Sequence, residues 1–416
     1  CPALSTKNCM KFLHTSDWHL GQKFLSNDRE EEHRRALLRI VEWVESEQAD
    51  ALIIAGDVFD IGNPPHYARR LYYDFLTRML KSSCCRHIVI TGGNHDSPSM
   101  LNAPRDLLRA LRVHVVGAAT GNIEDEIVEL RDDQDRLEAV VAAVPFLRDG
   151  DIRASVSGET AADRVEQIKT AILQHYQQVG EYCERYRGQN IPIIATGHLY
   201  AAGASASEKQ DNIYIGNTDN IDARHFPGIF AYVALGHLHR LQSVGGLPHV
   251  WYSGSPIPLS FSETKDDKAA LLVSFEGSKL LEVKPLPLPV FRRLKTIEGS
   301  LEKVEADLLK FGSKPDRDLS SWVDIIVHAE QFIPQLDTRL HELAQGMDLE
   351  ILKIRLHRPA AAADALSTAF DLDSLAPEEV FEQRCRAFAM NDEELNELKT
   401  TFAELRSWMQ QQEVLP

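Results

Sequence analysis

Apolar residues in this chain fall into short runs, and the runs alternate with segments of helical period. Phe12-Leu13-His14-Thr15 is the first strand-length run and leads to Asp17. Over residues 36–44, Leu37, Ile40, Val41 and Val44 recur at the spacing of one helix face. Ala51-Leu52-Ile53-Ile54 follows as a strand and ends in Gly56-Asp57. A second helical stretch covers residues 67–80, and His87-Ile88-Val89-Ile90 then runs into Gly92-Gly93-Asn94-His95-Asp96. Further on, Ile193-Ile194-Ala195 runs into Gly197-His198, and Tyr232-Val233-Ala234-Leu235 into Gly236-His237-Leu238-His239. Strands alternating with helices predict an α/β fold.

The pattern changes near residue 284. Lys284-Pro285-Leu286-Pro287-Leu288-Pro289 has proline at alternate positions, which withholds backbone donors and predicts an extended linker over 284–290. A β-α-β-α-β pattern follows over 291–358, with strands at 293–297, 322–328 and 350–356 and helices at 301–309 and 334–344. An Ala-rich second linker spans 359–374. The tail, 375–416, reads as two short helices. Phe381, Cys385 and Phe388 form one stripe, and Leu395, Leu398, Phe402 and Leu405 the other; Asn391 and Glu394 make a capping-box arrangement at the start of the second. Two helices this short cannot bury both stripes against each other alone. They pack either on a partner or on the rest of the chain. Residues 1–9 read as an extension outside the fold, and 10–283 as the main domain.

Composition narrows the class. At 416 residues the chain exceeds one ordinary core, so two or three domains are expected. The 44% apolar and 26% charged content is that of a soluble globular protein, and no run approaches the ~20 apolar residues of a membrane span. The six cysteines form no C-x-x-C pair, which excludes a zinc ribbon or disulfide framework and predicts a reducing cytoplasm. A net charge of −17 argues against gripping nucleic acid by bulk charge. It leaves open an enzyme whose metal ions supply local positive charge.

The strand ends hold the candidate chemistry. Asp17, His19, Asp57, Asn94, His198, His237 and His239 offer carboxylates, an amide and imidazoles, with no thiolate. Such ligands suit manganese, iron or zinc. Seven are too many for one tetrahedral ion and fit two, of the kind that clamp both oxygens of a phosphoryl displacement. One carboxylate must then bridge, and Asp57 at a central strand end is the natural choice. The alternation in Asp17-Trp18-His19 and His237-Leu238-His239 would bring both ligands to one side in extended backbone. His95, beside Asn94, is placed to assist a leaving oxygen. Asp60 is placed to orient Asp57, directly or through His95.

Asp17-x-His19, Gly56-Asp57-x-x-Asp60, Gly93-Asn94-His95-Asp96, Gly197-His198 and Gly236-His237-x-His239 together resemble the calcineurin-like metallophosphoesterase superfamily. Within it the chain is similar to the SbcD family, through His14-Thr15-Ser16-Asp17-Trp18-His19-Leu20-Gly21-Gln22, Gly56-Asp57-Val58-Phe59-Asp60, Asp211-Asn212-Ile213-Tyr214-Ile215-Gly216 and Gly254-Ser255-Pro256-Ile257-Pro258-Leu259-Ser260-Phe261. The resemblance implies a four-layer α/β/β/α sandwich, a small α+β capping domain facing DNA, and a C-terminal helical segment that docks on an SbcC-type, SMC-like ATPase. It implies a 3′-to-5′ exonuclease and single-strand or hairpin endonuclease acting with two divalent ions, manganese expected. A homodimer within a heterotetramer, in the cytoplasm at the nucleoid, is implied as well. Asp17, His19 and His239 would then complete one metal site, and Asn94, His198 and His237 the other. Another phosphoesterase, or a catalytically silent scaffold for the ATPase, is the alternative.

Overall fold

Alternation along each strand divides its apolar residues between two faces, and the two faces enter different cores. In the strand Ala51–Ala55, Leu52 and Ile54 pack on one side among helix residues, while Ala51 and Ile53 point the other way. Phe12 and Leu13, or Val89 and Ile90, divide in the same manner. A strand buried on both faces needs a layer on each, and that requirement builds the architecture.

The structure, a computed structural model, describes residues 9–153, 160–204, 221–313, 319–329 and 333–357, together with 381, 398, 399, 401 and 402. Two six-stranded sheets form its centre. The first has the order Lys279–Pro287, Ala269–Glu276, Cys9–Thr15, Ala51–Ala55, His87–Thr91, Val113–Val116. The second has the order Gln242–Ser243, Val250–Tyr252, Tyr232–Gly236, Ile193–His198, Leu137–Ala142, Ile127–Arg131. The inner strands of each are parallel. Phe12, Ile53, Val89, Val141, Ile194, Ala234 and Phe275 fill the space between the sheets. Helices Glu30–Glu47 and His66–Met79 cover the outer face of the first sheet, and Ala161–Cys183 covers that of the second. The expected four layers, α/β/β/α, are therefore present.

Two local expectations change. The residues 284–287 do not form a free linker, because Lys279–Pro287 is a strand whose Pro285 and Pro287 lie opposite Leu271 and Ala269. It is the edge strand of its sheet, so a missing N–H on the outer side costs no ladder bond. Cys9, read from the sequence as part of the extension, lies in the first strand opposite Glu276; residues 1–8 lie outside the described residues.

The region after residue 290 follows its predicted pattern: strands Leu294–Gly299, Ser321–His328 and Leu349–His357, with helices Leu301–Gly312 and Leu336–Ala344. Chain packing divides the protein into two units. One comprises Cys1–Ile326 and Gln335–Arg355 and so holds both large sheets and most of this smaller module. Within it, buried Glu32 accepts from Arg29 Nε and Arg292 Nε, each at 2.8 Å, and Arg292 lies over the Trp322 ring at 3.9 Å. The other unit comprises Val327–Pro334 and Leu356–Pro416. The predicted linker 359–374 and nearly all of the two predicted tail helices lie outside the described residues. The rings of Phe381 and Phe402, one from each predicted stripe, stack at 4.2 Å. Among the described residues no helix is long and apolar enough to cross a membrane.

Candidate metal centre

Five parallel strands end on the same side of the two sheets, and the seven predicted ligands sit at or just beyond those ends. Asp17, His19, Asp57 and Asn94 come from the first sheet; His198, His237 and His239 come from the second. Donor atoms gather in three overlapping groups, each within 4.8 Å: Asp17, His19 and His239; His19, Asp57 and His95; Asp17, Asp57 and His198. Asp57 belongs to two of them.

The backbone that delivers these side chains is not extended, contrary to the sequence reading of the Asp17-x-His19 and His237-x-His239 pairs. Asp17, His19 and Asp57 have φ of 52°, 46° and 49°, and His237 has φ 99°. Left-handed backbone is unfavourable for side chains of this size and persists only where surrounding structure imposes it. Cross-links between the strand ends impose it here. Asp17 N donates to Gly56 O and His19 N to Asp57 O, each at 3.0 Å, while His237 N donates to Asp17 Oδ1 at 2.8 Å. Glycine is required twice by close approach. A Cβ on Gly56, itself at φ +85°, would lie 2.2 Å from His198 Nδ1, and one on Gly93 would lie 2.1 Å from Asp57 Oδ1.

The histidines are held in one chemical sense. His198 Nδ1 donates to Ala55 O at 3.1 Å. A carbonyl only accepts, so the neutral ring carries its lone pair on Nε2, which faces Asn94 Oδ1 at 3.0 Å and Asp57 Oδ2 at 3.1 Å. His19 Nδ1 donates to Asp60 Oδ1 at 3.0 Å, leaving Nε2 buried without a hydrogen-bond partner and 3.5 Å from Asp57 Oδ2. His239 Nδ1 donates to Glu263 Oε1 at 3.2 Å. Three imidazoles anchored through Nδ1, with lone pairs converging on carboxylate oxygens, have no proton to share in the neutral state. A cation between them satisfies all of them, and the donor set is one that binds divalent metals.

Charge balance agrees. Burial works against a proton on His19, but the Asp60 hydrogen bond and the charges of Asp57, Asp60 and Asp17 outweigh it and raise its pKa to about 9. For His198 burial is likewise outweighed by Asp57 and Asp17, again giving about 9. Burial opposes ionisation of Asp57, yet His198, His19 and His95 hold it far below the ordinary carboxylate range. His237 is pushed down to about 3 by burial and by His198. The pocket thus has negative potential at the point where the lone pairs meet, the field that favours a divalent ion.

Asp60 reaches Asp57 through His95 and not directly. Its carboxylate holds His19, not Asp57, and it is its backbone carbonyl that takes the Nδ1–H of exposed His95, at 2.7 Å. His95 N also donates to Asp57 Oδ1 at 2.9 Å.

Sequence reading missed two buried carboxylates. Asp96 accepts from Val58 N, Phe59 N and Gly93 N at 3.1, 2.9 and 2.9 Å, tying the Asp57 turn to the Asn94 turn; burial and the charge of Asp57 raise its pKa to about 6. Its place next to His95 was the available signal. Glu263 is bonded to His239 and to buried Lys268, whose Nζ lies 2.6 Å from Glu263 Oε2 and 2.8 Å from His239 O. No motif marks Glu263, because it reaches the site from a 3₁₀ turn rather than a strand end.

Comparison with known proteins places the chain in a family. The calcineurin-like phosphoesterase family model matches residues 10–241, and a model described as the Type 5 capsule protein repressor C-terminal domain matches 290–387. The SbcCD nuclease D subunit of Escherichia coli (strain K12) is 38% identical over 94% of this chain and 97% of that protein. The Rhodobacter capsulatus protein of the same name is 34% identical over 89% and 93% of the two chains, and the Bacillus subtilis one 33% identical over 64% and 66%. The chain belongs to the calcineurin-like phosphoesterases and, within them, to the family of SbcCD nuclease D subunits.

Proposed function

We propose that this chain is a DNA nuclease that hydrolyses phosphodiesters at two divalent ions, manganese in the first instance, and that it works with an SbcC-type, SMC-like ATPase. The observation that carries the reading is the meeting of Nδ1-anchored His19, His198 and His239 around Asp17 and Asp57. Asp57 would be shared by the two ions; Asp17, His19 and His239 would hold one of them, and Asn94, His198 and His237 the other. Bound there, the ions supply charge neutralisation of the reacting phosphate and a water acidified enough to attack at neutral pH.

The chain's own residues do the rest. Asp60 and Glu263 fix the ring planes of His19 and His239. His95, its Nδ1 proton engaged by Asp60 O, has Nε2 as its remaining ring nitrogen; a proton carried there would go to the departing 3′ oxygen. Substrate ends are processed as a 3′-to-5′ exonuclease on duplex and as an endonuclease on single strands and hairpins. The tail stripes of Phe381 and Phe402 dock on the ATPase, in a heterotetramer built on a dimer of this chain, in the cytoplasm. Module 291–358 caps the centre on the DNA side.

The test is cleavage of hairpin DNA and of a phosphopeptide, side by side, with manganese, zinc or chelator, with and without the ATPase. Metal-dependent DNA cleavage with an inert phosphopeptide is expected. Faster phosphopeptide hydrolysis, or no cleavage with any metal, defeats the proposal.

A further inference from the structure

A pocket of about 250 Å³ opens where the hairpin Lys23–Phe24/Asn27–Asp28 and the loop 259–262 meet the open face of the small module's sheet. Three features set it apart. The first is charge. Lys23, Lys353 and Arg355 line it against one carboxylate, Asp324, so a chain of net charge −17 is locally cationic there. Lys23, Lys353 and Arg355 are exposed. The second is a buried acceptor. Asp324 is 4% exposed; Oδ2 is paired with Arg355, and Oδ1 has no hydrogen-bond partner. A buried carboxylate oxygen left so is costly unless a donor arrives. The third is apolar surface offered to solvent. Leu25, 45% exposed, stands at the hairpin tip with φ 47°, a conformation unfavourable for leucine, beside half-buried Phe261.

The pocket also joins the metal centre through the chain. Lys23 lies four residues after His19, and Phe261 lies two before Glu263, which holds the His239 ring.

We infer that this pocket seats one unpaired nucleotide of the strand entering the metal centre. The cations take its phosphate, Leu25 and Phe261 take the flat face of its base, and Asp324 Oδ1 accepts from a base-edge N–H. Apolar contact with a base face does not depend on which base it is. Every base has a donor on its pairing edge, and in a duplex that donor is occupied. The acceptor therefore selects unpaired nucleotides over paired ones. The volume, just below the ~300–1,000 Å³ of small-ligand pockets, leaves room for no more than one nucleotide and excludes a duplex. This inference rests on the nuclease reading and names the part of the substrate that the chain itself recognises.

The test is equilibrium binding of a labelled 15-nucleotide single strand and of a blunt duplex to the full chain in chelator, where no cleavage occurs. Lys23→Ala/Lys353→Ala should weaken single-strand binding roughly tenfold and flatten the salt dependence of log K by about 0.7, the value for one phosphate on a single strand. Asp324→Asn, which replaces one acceptor lone-pair set with a donor, should weaken single strand more than duplex. Calorimetric manganese binding and thermal melting establish that each variant is folded with its centre intact. Unchanged affinity and salt slope in the double variant, or equal losses on duplex and single strand, overturn the inference. Separately, a wild-type chain that cleaves no DNA overturns the nuclease reading whatever its affinities.

Discussion

His95 Nδ1 donates its hydrogen to the backbone carbonyl of Asp60, 2.7 Å away. That bond fixes both the orientation of the ring and the nitrogen, Nε2, that is left for other contacts. It does so without using a carboxylate, so the ring gains no neighbouring negative charge from the contact. His95→Ala should leave two-ion binding intact by calorimetry and lower the cleavage rate by roughly 10²–10⁴-fold, the usual contribution of a positioned acid. Cleavage at the wild-type rate would remove His95 from the chemistry.

The Asp60 carboxylate acts on His19 instead. Asp60→Ala frees the His19 ring and lets its tautomer change, while the His95 bond, made by the backbone, survives. Metal affinity should fall roughly 10–100-fold, the usual cost of removing the acceptor behind a ligating histidine. Raised metal concentration should then restore cleavage. A variant that binds metal normally but stays inactive would instead assign Asp60 to the reaction itself.

Lys268 and Glu263 form a buried ion pair at 2.6 Å behind His239. The pairing of Glu263 with His239 and Lys268 outweighs burial and holds its pKa down at about 2. Lys268→Met strands that carboxylate and should cost roughly 3–5 kcal/mol in urea unfolding. Adding Glu263→Gln should recover part of this loss, because the stranded charge is gone. Additive losses in the double variant would show that the pair is not coupled.

His14 is fully buried against Tyr232, its Nδ1 2.9 Å from the hydroxyl, and burial lowers its pKa from 6.5 to about 3. Its folded-state pKa lies below the unfolded one, so between those values the unfolded chain binds the extra proton. The stability from neutral His14 is therefore whole above pH 6.5 and declines as pH falls towards 3. The limiting slope is ~1.4 kcal/mol per pH unit for one such histidine. His14→Phe should give a visibly shallower acid limb in denaturation measured across pH 7 to 4; an unchanged limb would mean that His14 does not report on unfolding.

Much of this was legible beforehand, for a definite reason. Strand runs that stop at Asp17, Asp57, Asn94, His198 and His237 announce their candidate ligands because parallel strands deliver their carboxyl ends to one place. Alternation could not show whether one sheet or two did so; that required the split between Ile53 facing one core and Ile54 another, which looks the same in a fully apolar run. Local backbone was misread where long-range bonds decide it. Asp17 and His19 take left-handed φ because Gly56 and Asp57 carbonyls hold them, and nothing near Trp18 encodes that. Pro285 and Pro287 suggested a linker because edge position, which excuses them, is a property of the whole sheet. Glu263 was hidden for the same reason: its role depends on a loop fold, not on a spacing.

The candidate ligands are divided between the sheets, four from one and three from the other. On the proposed two-ion reading neither half could coordinate the pair by itself, so the centre would read out whether the halves are seated together. Loosening Phe12, Ile53 or Ala234 in the seam should cost manganese affinity while far-ultraviolet circular dichroism still looks native. In such a molecule, catalysis would fail earlier than secondary structure, and the enzyme would go silent before it came apart.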